Sequence, residues 1–472
     1  MRRLATLLCF LLAGLSRPVR AAGDGLSLEQ ALDQALQSNR TLDNVKQSIT
    51  QAQLNLRAVR KERLPKLRTN YSYTRTFQDF AFTTEYPSEL DPNVMNTMTF
   101  SFPQDNYMWT SWISMPVLSE LQHLSEQIAR LGIDVAKVQL LQAKNELVAN
   151  VKATYYTILR DERLIEFLTQ NLRSHEEHEK LTERYHREGL VAKNSVMEAR
   201  VERATAQQEL RTAQQARLVS HATLATLLGL SDRDTLFAAT DSLKQRAFEL
   251  TVKQCIQFAR EHNPELVAYS FLKAQAAKEV KLEKSHLKPT LDLSAYYMKY
   301  GDKPDLTNSS GDGFPGDTTA AMLSVNWLIT DWGQKRAEAR AKKIKLEQLK
   351  NSEVLTQDRV GLRVREAWAQ LDTARDNGQT ARLAIEAARE NARLARLRFR
   401  EQTATSKEVL EALTGLKRAE YSHTTSLHAH NVALARLEEA MGVDVSRIVT
   451  SQMSDPGAAV PQSGGPSKGQ KR

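Results

Sequence analysis

The feature that most constrains this chain is that it is written twice. Leu26-Ser27-Leu28-Glu29-Gln30 returns as Leu250-Thr251-Val252-Lys253-Gln254, and the same 224-residue step carries Asn39 to Asn263, Leu42 to Leu266 and Pro65 to Pro289. Further on the step shortens to 213, and Val196, Glu198, Ala199 and Gly229 reappear as Val409, Glu411, Ala412 and Gly442. A repeat of this length is too long for a solenoid unit. It describes two structural halves around one axis, with a length change in the middle of the unit.

The residues between the landmarks are those of long helices. Aromatics are 6% of the 472 residues and charged residues 26%, with Ala, Leu, Glu, Gln, Arg and Lys dominating. No proline occurs between 117 and 263 or between 316 and 454. Proline breaks helix interiors, so both intervals are free to be helical. Ser27 with Gln30, and Thr251 with Gln254, have the spacing of capping boxes that open a short helix. Asn263-Pro264 ends the second of these and starts the next helix; Arg40 replaces that proline in the first copy, which predicts a softer break there.

After Pro65 and Pro289 the period changes from helix to strand. In the stretch 69–77 the odd positions carry Tyr71, Tyr73 and Phe77 while the even ones are polar, and Leu291-Asp292-Leu293-Ser294-Ala295 alternates likewise. Each strand has a partner downstream, at 107–117 and 319–329, across a long polar connector. Alternating strands of about 10 residues are the size that crosses a membrane as a tilted barrel. Four strands cannot close a barrel and an open edge is not tolerated in lipid, so other copies must complete it.

The organisation predicted is therefore a first repeat at 26–230 (helix 41–64, hairpin 69–117, long helix 119–186, return helix 193–228), a linker at 231–249, and a second repeat at 250–443 (helix 264–288, hairpin 290–329, long helix 332–400, return helix 406–441). Each long helix, at 1.5 Å per residue, is a rod of about 100 Å. The two ends differ in kind. Residues 1–22 combine Arg2 and Arg3 with an apolar run at 4–15, the pattern of a cleaved secretory signal peptide. Its removal takes four arginines, lowering the formal charge from +9 to +5 (9 − 4). Residues 444–472 read as a largely disordered tail, rich in Pro, Gly and Ser. The mature chain keeps one cysteine, Cys255, so no internal disulfide is expected.

Gly189-Leu190-Val191-Ala192, followed by Val196 and Ala199-Arg200 within the duplicated frame, resembles the TolC family of outer-membrane efflux proteins from about 26 to 443. The resemblance implies a fold of mixed type: a homotrimer whose chains give four strands each to a 12-stranded membrane β-barrel, plus a long α-helical coiled-coil barrel in the periplasm of a Gram-negative bacterium. It implies outer-membrane lipid around the barrel, and a periplasmic adaptor (membrane fusion protein) and an inner-membrane pump of RND or ABC type docked at the helical turns Gly189, Leu190, Val191, Thr403, Ala404 and Thr405. The function implied is a passive exit duct for efflux or type I secretion.

The same resemblance places a periplasmic aperture on Glu408 and Glu411, with Phe399 at an aromatic gate position and Ser195 and Glu198 as the first-repeat counterparts. A spacing of three puts both glutamates on one helix face. Three departures stand out: Ala404 lies where the family's best-known pattern has an arginine, Gln402 replaces a turn glycine, and Ser195 stands where an acid is common.

Other chemistry is sparse. His175 and His178 are spaced by three, not the four of a helical zinc site, and His428 and His430 point to different helix faces, which reads as surface. No metal, cofactor, nucleic-acid partner or catalytic residue is expected, so the chain is read as no enzyme. The competing class is a periplasmic coiled-coil scaffold or adaptor whose hairpins stay soluble.

Overall fold

The computed structural model describes residues 25–78, 80–91, 93–102, 104–230, 236–307 and 317–443. The expected signal peptide, the centre of the second connector and the C-terminal tail lie outside the described residues.

The chain divides into two compact units, each drawing on both repeats. One comprises residues up to 47, 138–268 and 353 onward; the other comprises 48–137 and 269–352. The long helices α3 (Glu120–Arg187) and α7 (Gln334–Arg400) contribute to both.

In the first unit the duplication is visible residue by residue. Short helices α1 (Leu28–Ser38) and α5 (Val252–His262) each open with a full capping box, Ser27/Gln30 and Thr251/Gln254. One core gathers Ala31, Ala35, Leu42, Leu147, Val151, Leu224 and Leu228. The other gathers Cys255, Ala259, Leu266, Val360, Val364, Leu437 and Met441, which are the same positions one repeat later. Cys255 is thus a small core residue in the seat of Ala31, fully buried, with its thiol pushed up to about 11 by desolvation.

The joints between helices are duplicated too. The Asn39 side chain donates to Leu227 O at 2.9 Å and accepts from Leu42 N at 3.0 Å. Asn263 donates to Ala440 O at 2.8 Å and accepts from Glu265 N at 2.9 Å. Each asparagine therefore ties the end of a return helix, α4 (Lys193–Leu227) or α8 (Ser406–Met441), to the start of α2 (Arg40–Lys61) or α6 (Pro264–Ser285). Both asparagines are extended, with ψ 123°, so the break at Arg40 is as sharp as the one at Pro264. The softer break expected there does not occur, because the asparagine cap alone interrupts the helix. Gly229 and Gly442 close the joints at φ 73° and 76°, where an added Cβ would come within 2.1 Å of Ser38 O and 2.7 Å of His262 O.

In the second unit, four strands form one antiparallel sheet in the order β1-β4-β5-β6: β1 (Lys66–Arg75), β4 (Asp105–Leu118), β5 (Thr290–Gly301) and β6 (Asp317–Asn326). A further pair, β2 (Phe80–Pro87) and β3 (Met95–Phe102), forms its own two-stranded sheet inside the stretch that the sequence presents as a polar connector. Among the described residues, the four expected strands thus form one sheet and a further pair accompanies them. The extra pair falls in the segment where the repeat step drops from 224 to 213, so an insertion in the first hairpin accounts for the length change.

The register gives the sheet two unlike faces. Pairings Leu67↔Ile113, Ile113↔Ala295 and Leu293↔Leu323 put Leu67, Tyr71, Tyr73, Ile113, Leu293, Leu323 and Val325 on one side. The other is mixed, with Asn70, Ser72, Thr110, Asp292, Ser294 and Asn326 beside Met108, Trp112, Tyr296, Met298 and Met322. All seven of the first group are exposed, Leu67 by 74% and Val325 by 68%. A water-soluble sheet buries its apolar face; this one presents it. Ion pairs join the helices of this unit to one another: Arg60 of α2, Arg63 just after it and Arg130 of α3 converge on Glu126 of α3, and Lys342 of α7 meets Glu279 of α6. Among the described residues no helix is long and apolar enough to cross a membrane.

Candidate functional site at the two helical turns

The residues singled out from the sequence fall at two turns within the first unit, and the turns are built alike. After α3, Gly189 N donates to His186 O at 3.0 Å and Leu190 N to Tyr185 O at 2.8 Å. After α7, Gln402 N donates to Phe399 O at 3.1 Å and Thr403 N to Arg398 O at 2.8 Å. This is the paired closure of a Schellman end, which needs a left-handed residue. Gly189 supplies it at φ 76° and Gln402 at φ 60°. A side chain in that region costs about 1–2 kcal/mol, so the second turn carries strain that the first does not.

The helices leaving the turns begin differently. Thr405 caps α8: its hydroxyl accepts from Glu408 N at 3.3 Å, and the Glu408 carboxylate accepts from Thr405 N at 3.1 Å and from its hydroxyl at 2.9 Å. This capping box holds Glu408 below the usual carboxylate range through hydrogen bonds from the Thr405 backbone and side chain. At the first turn Ala192 occupies the cap and makes no side-chain bond. Ser195 therefore replaces an acid at the position where the cap partner of that acid is also missing; both halves of the box are absent together. Glu411 and Glu198 are exposed one turn further on, Glu411 with Lys407 Nζ 3.9 Å away. Leu190, Thr403 and Thr405 are exposed, and Val191 and Ala404 half-buried.

Phe399 is not at the surface. It is 2% exposed and packs with Ala392, Val409, Ala412 and Leu413, its ring 4.9 Å from His178 and 5.5 Å from Tyr185. The Tyr185 hydroxyl donates to Arg400 O at 3.0 Å, which sets the ends of α3 and α7 side by side. His178 Nε2 lies 2.8 Å from Ser406 Oγ, the first residue of α8. Arg200 and Arg203 staple α4 to α3 through Glu183 and Glu179, each at 2.6 Å. The result is a small apolar core under both turns, with the glutamates outside it.

Of the histidines, His430 was read as surface and is instead buried. His175, His178 and His430 are all buried, and His430 Nε2 is 2.9 Å from Arg246 O. Burial pushes His178 and His428 down to about 4. An i,i+3 pair of histidines gives no hint of this from sequence, because burial depends on the helices packed across it. Among the described residues, no group of three His, Cys, Asp or Glu side chains is placed to hold a metal ion. The arrangement offers exposed acids at and just beyond a capped helix start.

One unit is a duplicated helical frame and the other an antiparallel sheet with an exposed apolar face, the two parts that outer membrane efflux proteins combine. The chain matches the outer membrane efflux protein family over residues 31–230 and 255–443, and it belongs to that family. Protein CyaE of Bordetella pertussis is 29% identical over 220 residues, a stretch covering 46% of this chain and 44% of CyaE. The match thus spans less than half the length of that relative. Among solved structures, the CmeC outer membrane channel of Campylobacter jejuni aligns with a TM-score of 0.71 at 15% identity, covering 90% of this chain and 89% of that one. The open state of the MtrE outer membrane channel of Neisseria gonorrhoeae aligns at 0.68 and 18% identity, covering 88% and 89%. These likenesses establish the fold.

Proposed function

We propose that this chain is the outer-membrane exit duct of an export system, passive in itself and driven by an inner-membrane pump through a periplasmic adaptor. The observation that carries the reading is the apolar sheet face of Leu67, Tyr71, Ile113, Leu323 and Val325, left exposed on a sheet whose edges, β1 and β6, pair with no further strand among the described residues. Lipid suits such a face, and lipid does not tolerate open edges. Three copies joined edge to edge give about 12 strands, within the range of membrane barrels. The opposite, mixed face, which carries Asn70, Ser72, Asp292 and Ser294, then lines the pore.

In this reading the two turns, at Gly189-Leu190-Val191 and Thr403-Ala404-Thr405, meet the adaptor. Glu408 and Glu411 form the acidic aperture, six carboxylates in a threefold assembly, which favours cations. Phe399 acts beneath it, as the packed support of the cap from which Glu408 projects. Multidrug export, metal efflux and type I secretion are all compatible with such a duct. Fractionation of the full chain tests the reading: it should enter the outer membrane, run as a heat-modifiable trimer and conduct in planar bilayers, with lower cation preference in Glu408→Gln/Glu411→Gln. A protein recovered in the soluble periplasm points instead to the scaffold alternative.

A further inference from the structure

Between α3, α7 and α8, inside the first unit, lies a slot of about 460 Å³ with an arginine wall. Arg389, Arg393, Arg396 and Arg400 are spaced by four, three and four, which puts them on one face of α7. Phe167 and Leu416 give it an apolar floor.

The four cations are unequally neutralised. Glu420 accepts from both Nε and Nη2 of Arg389, and Glu390 takes Arg393 in a two-pronged pair at 2.8 and 2.7 Å. Arg396 has only the neutral Ser174 hydroxyl, at 3.1 Å, and its buried Nε has no partner among the described residues. Arg400 makes no ion pair among them either. The outer guanidinium nitrogens of Arg396 and Arg400, less neutralised than those of Arg389 and Arg393, are donors that an oxyanion in the slot pairs with well. The charge is felt nearby: His178 is pushed down first by burial, then by His175 and by Arg396. The volume falls in the range of small-molecule sites, and the lining, with four arginines, is more polar than most and suits an anion.

We infer that this slot binds amphiphilic organic anions, with a carboxylate, sulfonate or phosphate held by Arg396 and Arg400 and an aromatic or aliphatic part against Phe167 and Leu416. Neither the membrane barrel nor the aperture is needed for this binding, so the two readings fail separately.

The test is equilibrium dialysis of 1-naphthyl phosphate against the detergent-solubilised full chain, with inorganic phosphate as competitor. The expected result is saturable binding with a dissociation constant below about 1 mM, from the modest efficiency of ligands this size. Arg396→Gln/Arg400→Gln should weaken it about 10-fold or more, as loss of charge-assisted bonds does. Phe167→Ala should weaken the naphthyl ester and leave inorganic phosphate unchanged, and Arg436→Gln, whose partner is Glu439, should change neither. Circular dichroism checks that each variant folds. No saturable binding by the wild-type chain, or equal binding by wild type and the double variant, overturns the inference.

Discussion

The Glu408 carboxylate accepts from Thr405 twice, from the backbone N–H at 3.1 Å and from the hydroxyl at 2.9 Å, so the acid assigned to the aperture is also half of a helix cap. Its charge and its position are therefore coupled. Thr405→Ala should destabilise the first turn of α8 by about 1 kcal/mol, the usual worth of such a cap. It should also raise the Glu408 pKa, because the hydrogen bonds that lower it are reduced. Hydrogen exchange of the first-turn amides and carboxylate NMR titration measure the two effects. The converse transplant, Ala192→Thr with Ser195→Glu, should protect the first turn of α4.

The turn residues make a paired prediction of opposite sign. Gln402→Gly should stabilise the second turn by about 1 kcal/mol, relieving a left-handed side chain, and Gly189→Ala should destabilise the first by a similar amount. Nothing lies within 4 Å of the Cβ that alanine adds at Gly189, so the backbone alone sets that cost. Gly442→Ala should be worse, since its Cβ meets His262 O. Denaturant midpoints of the three variants rank them.

These turns also show what was legible in the sequence. Proline-free intervals and repeated landmarks were enough for the long helices, and Ser27/Gln30 and Thr251/Gln254 were legible as caps. Thr405 and Glu408 carry the same cap spacing, yet resemblance drew attention to the acid and hid its bond to Thr405. Phe399 and His178 were not legible, because their burial arises between α3, α7 and α8, far apart in the chain. The β2–β3 pair was obscured because Pro87, the last residue of β2, and the Asp91-Pro92 dipeptide in the sequence read as parts of one connector.

Acid should loosen the core under the turns. His178 is held near 4, against an ordinary value of 6.5, chiefly by burial. Between those values the unfolded chain takes up a proton that the packed one refuses, so stability falls as pH drops from 6.5 to about 4 and levels off below. The span corresponds to about 3 kcal/mol. His178→Gln should flatten that slope, read by unfolding in urea across the pH range.

Lys152 and Glu438 form a buried ion pair at 2.6 Å between α3 and α8, with side chains 6% and 9% exposed. Lys152→Met or Glu438→Gln alone should destabilise the contact of α3 with α8 by leaving the other charge less compensated in a dry setting, while Lys152→Met with Glu438→Met should cost less than the sum of the two. A double-mutant cycle on thermal stability decides it.

The central claim is that β1 and β6 are not free edges but seams between copies. Cysteines placed at Ser72 in β1 and scanned along β6 from Thr319 to Ser324 test it directly by oxidation in outer membranes, since Cys255, the one cysteine among the described residues, is fully buried. The account expects covalently closed trimers at one register and little product at its neighbours. Monomers at every register, or crosslinks formed only within one chain, would contradict it.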